Sequence, residues 1–466
     1  MVFLRGRLCP TLAALALVAG AATGCGTAGS PAERGPDSGA TSTVSTATNV
    51  YEQDRAAGVT RLLDSLGTAI TAGDVTAIGG LFDAAASPQF KNRFVTAAAT
   101  FRPAEFERRS GRGAELRFAR FDYQLAPTEE AEKLVPGELQ QVLDAGGSSD
   151  SWVAPVELRY ALGGATSPGI AEPEVVAGTE FIVSRHGEDW QLVGDSAALG
   201  GDPSATQMWE LPGLMAVDVA TAGGTSVVAS YPDTTKTVVD LRRLLPDAVD
   251  AVSAFWGDTW DRRAVVVATA TDPQFDALVP AGPAVTGRAA AASVYSRVDH
   301  PQRTAVGQRI VFTPAALGLA APTLGVVLRH ELTHIAARVD TAVGAPLWIT
   351  EGVPEYVGRK GTYTRLADAA PDLAEAVRSG SAPIDLPADA EFAMDGQTSL
   401  VAYQSSWSLA AYVADRFGEA RLKKLYVGVA ASPEAARQDA AISGALGVDR
   451  KQLLTGWRGW LDGQVR

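Results

Sequence analysis

Two of the four histidines in this 466-residue chain stand four residues apart, and a glutamate directly follows the first of them. The residues are His330, Glu331 and His334, in the order His-Glu-x-x-His. Positions i and i+4 lie on one face of an α-helix, so two imidazoles at this spacing can reach one metal ion. Apolar residues flank the motif, and no proline interrupts the segment after Pro322. The pattern therefore predicts a helix with both imidazoles on one side.

Both cysteines of the chain, Cys9 and Cys25, lie in an N-terminal segment that has the features of an export signal. Arg5 and Arg7 precede an apolar run over 12–22, which is too short to span a membrane. Small residues and then Cys25 follow, and the segment resembles a bacterial lipoprotein signal. The resemblance implies cleavage before Cys25 and lipidation of that cysteine. The mature chain would then contain no free thiol, which excludes cysteine nucleophiles and cysteine-ligated metals. An ordinary secretory signal is the alternative.

The lipoprotein interpretation predicts a location as well as a modification. Residues 1–24 would be the signal peptide, and residues 25–50, rich in Gly, Ser, Thr, Ala and Pro, would form a lipidated flexible tether. Acyl chains on Cys25 would hold the protein at the extracytoplasmic face of the cell membrane. The net charge of −13 argues against nucleic acid as a partner and against binding an anionic membrane by charge alone.

Residues 51–200 show helical periodicity first and strand patterns afterwards, which is typical of an α+β domain. Predicted strands cover 115–125, 152–162, 175–184 and 190–195, with a hairpin turn at 186–189. This region resembles a ketosteroid-isomerase-like α+β cone, and the resemblance implies a small ligand or a protein partner there. The Gly- and Pro-containing segment 200–204 is a plausible domain boundary.

A catalytic zinc ion needs a third protein ligand, with water in the fourth position. Asp340 is six residues beyond His334, but Ala337 stands where a chain reversal after the motif would favour glycine. Glu351 is the other candidate, because a loop over 344–346 and a second helix would bring it back to the histidines. The spacing alone leaves both candidates open.

The HELTH segment together with LWITEGVPEY at 347–356 resembles the gluzincin metallopeptidases, and in particular the peptidase MA-like domains. The resemblance covers roughly residues 205–466 and implies a mainly helical zincin domain with a small sheet over 201–466. It also implies that Glu351 joins His330 and His334 as the third zinc ligand.

The same resemblance assigns roles to three further residues. Glu331 would be the general base, and Glu355 would hold a zinc-binding histidine through its second nitrogen. Tyr403, in a Tyr-x-x-Ser segment, would stabilise the tetrahedral oxyanion. The alternatives are a solvated helix carboxylate for Glu355 and a core aromatic residue for Tyr403. His186 and His300 lie in polar stretches and are predicted to be solvated turn or loop residues.

These features together predict a membrane-anchored extracytoplasmic zinc metallopeptidase that hydrolyses peptide or protein substrates with a zinc-activated water. The alternative is a ligand- or partner-binding lipoprotein whose zincin domain is inactive or structural.

Overall fold

The computed structural model describes residues 50–101, 116–127, 132–163, 172–279, 290–363, 365–394 and 396–465. The predicted signal peptide, with Cys9, and the predicted lipidation site Cys25 lie outside these ranges. None of the helices in the described ranges combines the length and the apolar character needed to cross a bilayer.

The N-terminal part places helices against a four-stranded antiparallel sheet, as the α+β prediction requires. Its elements are α1 (Val50–Ala72), α2 (Val75–Gly80), α3 (Pro88–Phe101), β1 (Arg117–Leu125), α4 (Gly137–Ala145), β2 (Asp150–Gly163), β3 (Val175–His186) and β4 (Asp189–Asp195). The strands are paired in the order β1-β2-β3-β4. The apolar residues that repeat at helical spacing along α1, among them Leu63, Leu66 and Ile70, are buried in the core.

The structure corrects the prediction for His186, which does not lie in a solvated turn. It is the last residue of β3, and its side chain is partly buried. Its Nε2 lies 2.7 Å from Oδ2 of the buried Asp83, which also accepts a hydrogen bond from Ser184. Gly187, with a φ of 66°, makes the turn into β4 as the hairpin pattern predicted.

The second sheet has five strands. They are β5 (Met215–Thr221), β6 (Gly224–Ser230), β7 (Val265–Ala268), β8 (Ala291–Val294) and β11 (Arg309–Phe312), arranged in the order β5-β6-β7-β11-β8. β7 is parallel to both β6 and β11, whereas β8 is antiparallel to β11 and forms one edge of the sheet. A short hairpin of β9 (Arg297–Asp299) and β10 (Thr304–Val306) connects β8 to β11.

Helices dominate the remainder of the chain, in agreement with the predicted mainly helical domain. They are α5 (Thr235–Trp256), α6 (Asp272–Leu278), α7 (Ala321–Ala337), α8 (Leu347–Thr350), α9 (Gly352–Arg359), α10 (Leu366–Ala369), α11 (Pro371–Arg378), α12 (Asp389–Phe392), α13 (Gln397–Phe417), α14 (Glu419–Ala430), α15 (Ala435–Leu446) and α16 (Arg450–Gln464). Helix α7 packs against α5 and α9, and α9 also packs against α13.

The central strands β7 and β11 of the five-stranded sheet are buried on both faces. Successive side chains of a strand point to opposite faces, and here Val266 and Ile310 join the core formed with the helices. Their neighbours Val267 and Val311 join the core of the N-terminal part. The domain boundary near residue 200 stays a prediction, because the N-terminal part packs directly against one face of this sheet.

A buried ion pair joins the N-terminal part to the sheet. Arg309 on β11 donates two hydrogen bonds to Glu172, which precedes β3, at 2.6 and 2.7 Å. Both side chains are largely buried. A buried pair tolerates the loss of one partner poorly, because the other charge is then left without compensation.

We therefore expect Glu172→Gln to lower the free energy of unfolding by about 3–5 kcal/mol. The measurement is chemical denaturation followed by circular dichroism and tryptophan fluorescence. Glu375→Gln is the matched control, because it breaks an exposed pair with Arg378 and should cost no more than about 1 kcal/mol. Equal losses in the two variants would contradict the expectation.

Candidate metal centre

Helix α7 carries the His-Glu-x-x-His motif in its last two turns, as predicted. Both imidazoles are buried, and their Nε2 atoms lie 3.0 Å apart. Burial lowers the pKa of His334 to about 3, so this imidazole is neutral at physiological pH. A neutral imidazole has a lone pair available for a metal ion.

Glu351 reaches the two histidines from the junction between α8 and α9. Its Oε2 lies 3.4 Å from His330 Nε2 and 3.7 Å from His334 Nε2. Ligands bound to one zinc ion at about 2.0–2.2 Å lie within about 4 Å of one another, so all three separations fit a shared ion. The structure thus brings together the three residues that the resemblance implied as ligands.

The carboxylates of this cluster lack the partners that burial normally requires. Within the described residues, neither oxygen of Glu351 nor Oε2 of Glu331 has a hydrogen-bond partner. Burial raises the pKa of both side chains, and their mutual repulsion adds to the shift of Glu331. Buried carboxylates are stable when they are paired or coordinate a metal. Two imidazoles and one carboxylate form one of the donor sets that catalytic zinc sites use.

Two glycines allow α9 to approach its neighbours closely enough to place Glu351. A Cβ on Gly352 would lie 2.6 Å from the carbonyl oxygen of Ser406 on α13. A Cβ on Gly358 would lie 2.8 Å from the carbonyl oxygen of Val326 on α7. Gly352 therefore permits close packing of α9 on α13, and any larger residue at this position would displace the helix that follows Glu351.

Glu355 lies one turn beyond Glu351, beside the first histidine. Its Oε1 is 3.7 Å from His330 Nδ1, the ring nitrogen that faces away from the cluster. Its Oε2 accepts a 2.6 Å hydrogen bond from Arg359. Glu355 is buried, so the solvated alternative for this residue is wrong.

Tyr403 is buried on α13 and lies near the same carboxylates. Burial raises its pKa, and the negative charges of Glu351, Glu355 and Glu331 raise it further. Its ring packs edge-on against Phe392 at 4.8 Å. The phenol is thus buried in the core, where the charges of the three carboxylates act on it.

Asp340 and His300 lie away from the cluster. Both carboxylate oxygens of Asp340 accept hydrogen bonds from Arg303. Nδ1 of His300 lies 3.0 Å from the carbonyl oxygen of Val339, and this histidine is exposed, as its polar surroundings predicted. The spacing of the sequence left Asp340 open as a ligand, but its position in the structure favours Glu351.

No sequence pattern singled out Arg338, a charged residue that acts on the carboxylates of the cluster. It stands four residues beyond His334, so it shares that face of α7, and its side chain is almost fully buried. A buried arginine is uncommon. The only available signal was its spacing from His334.

No protein-family model and no curated protein matches this sequence. One solved structure that matches is a point mutant of an M1 zinc metallopeptidase from Deinococcus radiodurans, at 14% identity and a TM-score of 0.33 over 64% of this chain and 59% of that chain. Another structure of an M1 zinc metallopeptidase from this organism matches at 15% identity and a TM-score of 0.32, over 54% of this chain and 53% of that one. This chain therefore covers little more than half the length of these proteins. Similarity at this level carries no conclusion about its activity.

We expect Glu351→Ala to lower the zinc content of the purified protein sharply, because the change removes one of three donors together with its compensating charge. Asp340→Ala is the control and should leave the zinc content unchanged, because Asp340 pairs with Arg303. Elemental analysis of both variants makes the comparison. The reverse pattern would place the third ligand at Asp340.

Proposed function

We propose that this protein is a zinc metallopeptidase of the gluzincin type that hydrolyses peptide bonds in peptide or protein substrates. The observation that carries the proposal is the convergence of His330, His334 and Glu351, with Glu331 beside them. Two imidazoles and a carboxylate form the ligand set of a catalytic zinc site.

The number of donors distinguishes this proposal from a structural metal site. Structural zinc sites are closed by four protein ligands, whereas catalytic sites have three and leave a position for water or substrate. Among the described residues, the cluster contains three donors. The burial of the three donors would also fit the alternative, a binding lipoprotein with an inactive zincin domain. The number of donors, three and not four, favours a catalytic site.

Each side chain around the metal position has a separate task in the proposed reaction. When bound, zinc supplies the polarisation of the peptide carbonyl and the activation of water. Glu331 accepts the proton of the attacking water and later donates it to the leaving amine. Because Glu331 directly follows His330 on the helix, its side chain does not point in the same direction as the two imidazoles.

Two further residues support this chemistry. Glu355 orients the ring of His330 through Nδ1 and is itself held by Arg359. Tyr403 stabilises the developing oxyanion, since a phenol in an enclosed site contributes more than it would in water. The nearby negative charges and burial keep this phenol protonated, as a hydrogen-bond donor must be.

The proposal includes a location, which rests on the sequence of the first 25 residues. Lipid on Cys25 anchors the protein to the extracytoplasmic face of the cell membrane, and the following tether separates it from the bilayer. The N-terminal domain is of the ketosteroid-isomerase-like type and offers a place for a small ligand or a partner.

Glu331→Gln separates metal binding from proton transfer. The variant keeps the size and hydrogen-bonding capacity of the side chain but cannot accept a proton. We expect it to bind zinc stoichiometrically and to melt as the wild type does, while peptide hydrolysis falls by about 10²–10⁴-fold. The assay uses a peptide found by screening a library against zinc-loaded wild type, with chelator-treated protein as the blank.

Glu434→Gln is the matched control, because it alters an exposed pair with Arg437 on α15 and should leave hydrolysis unchanged. Wild-type rates in Glu331→Gln would show that another group is the base. If zinc-loaded wild type cleaves no peptide, the binding-lipoprotein alternative replaces the peptidase.

Cys25→Ala tests the anchor. We expect the variant to leave the membrane fraction or to accumulate as an unprocessed precursor, because the lipidated side chain is missing. Cys9→Ala is the control and should fractionate with membranes, since Cys9 is removed with the signal peptide. Membrane fractionation and immunoblotting give the result, and a mature-sized Cys25→Ala chain that stays with membranes would contradict the proposal.

A further inference from the structure

The side chains of the candidate metal centre are closed off from solvent. Only 1% of Glu331 and 6% of Tyr403 is exposed, and His330, His334 and Glu351 are buried as well. A peptide substrate has to contact the metal and the base, so part of the surrounding structure must move before a substrate can enter. Movable segments that cover an active site are a common solution to this problem.

One segment beside the centre has the features of such a cover. Residues 381–394, here called the strap, follow α11 and precede α13, and they contain only the single turn of α12. Gly380 and Gly396, with φ angles of 77° and 79°, stand near the two ends of the strap. Glycine tolerates large changes of backbone angle, so both positions can serve as hinges.

The strap lies against the elements that carry Glu351 and Tyr403. Helix α12 packs against α13 and against α8, which ends just before Glu351. Oδ1 of Asp389 accepts a 2.8 Å hydrogen bond from the backbone N–H of Leu347, the first residue of α8. The buried ring of Phe392 packs edge-on against the ring of Tyr403, the proposed oxyanion-stabilising residue.

The remaining attachments of the strap are weak. Asp385 forms an exposed ion pair with Arg450, and such pairs contribute little to stability. In the described part of the chain, the other hydrogen bonds of residues 382–394 stay within the strap. Ile384 and Met394 are exposed. Three side chains of the strap are buried, namely Leu386, Pro387 and Phe392. A segment with so few buried contacts opens more readily than the long helices around it.

We propose that the strap is a gate over the candidate metal centre, closed by the contact of Phe392 with Tyr403 and opened by rotation near Gly380 and Gly396. The gate itself depends only on contacts within this chain. Its role in substrate entry rests on the proposed peptidase function.

The scarcity of histidines gives a direct probe of access. Diethyl pyrocarbonate modifies neutral imidazoles that solvent can reach, and mass spectrometry of digested peptides gives the rate at each histidine. In the full-length chain freed of metal, we expect the exposed His300 to react rapidly. His330 and His334 should react at least about 100-fold more slowly, because the reagent reaches them only when the gate is open.

Two variants weaken the gate at different points. Phe392→Ala removes the aromatic contact, and Asp389→Ala removes the hydrogen bond to α8. We expect modification of His330 and His334 to accelerate about tenfold or more in Phe392→Ala and about three- to fivefold in Asp389→Ala. Phe392→Leu should restore part of the protection. Capture of zinc by a chelator from the zinc-loaded proteins should follow the same order.

Phe275→Ala is the matched control. Phe275 is 5% exposed, as is Phe392, but it belongs to the core of the N-terminal part. Its truncation should leave the modification of His330 and His334 unchanged under conditions in which both variants stay folded by circular dichroism. His300 is the internal reference, and its rate should be the same in every variant.

The kinetic expectation concerns Asp389→Ala, because this change leaves the contact between Phe392 and Tyr403 in place. When only the open state admits substrate, the apparent affinity is reduced by the fraction of molecules that are open. We therefore expect KM to fall about three- to fivefold in Asp389→Ala, while kcat changes by less than about twofold.

Equal reaction rates of His300, His330 and His334 in the wild type would overturn the gate, since the centre would then be accessible. Unchanged modification in both Phe392→Ala and Asp389→Ala would also overturn it, as would equal acceleration in Phe275→Ala. Faster modification with unchanged KM would overturn the role in substrate entry. If zinc-loaded wild type cleaves no peptide, the peptidase function fails, and the modification rates still decide whether the gate exists.

Discussion

The close contact of α9 with α7 and α13 is the constraint on which the candidate metal centre depends. Glu351 is separated from His334 by sixteen residues, and only this packing brings its carboxylate to the two imidazoles. Gly352 and Gly358 make the contact possible, since a Cβ at either position would meet a backbone carbonyl. Arg329 on α7 reinforces the contact by donating to the carbonyl oxygen of Gly358.

The same packing encloses more negative than positive charge around the histidines. Glu355 is compensated by Arg359, but Glu331 and Glu351 retain buried oxygens without hydrogen-bond partners in the described structure. Arg338 is another described cation that acts on these carboxylates, and its Nη2 donates to Ser293. A divalent cation held by His330, His334 and Glu351 would supply the missing charge. The electrostatics and the ligand geometry therefore lead to the same conclusion by independent routes.

Local patterns made much of this fold predictable. The long helical pattern over 235–256 predicts a helix, and the apolar run over 309–312 predicts a strand; α5 and β11 have these bounds. Strand β8 was not predicted, since Ala291 and Ala292 have little preference for strands. The spacing alone left Glu351 and Asp340 as alternatives, and only the resemblance singled out Glu351.

Features that depend on contacts between residues distant in sequence could not be predicted from the sequence. His186 in a polar hairpin is indistinguishable in sequence from a solvated histidine, and its partner Asp83 lies on a separate segment. Arg338 differs from a surface arginine only through the burial that β8 imposes on it. Tertiary packing decides such cases, and a single sequence contains no local signal of it.

The shared sheet bears on the role of the N-terminal part. If the N-terminal part were an independent ligand-binding module, it would not cover the five-stranded sheet, and one face of that sheet would be exposed to solvent. Val267 and Val311 are instead buried against the N-terminal core, and Arg309 of the same sheet pairs with Glu172. β11, which carries Arg309, also pairs with β8, and Arg338 connects β8 to the end of α7, the helix with the two histidines. The N-terminal part therefore contributes to the scaffold of the candidate metal centre.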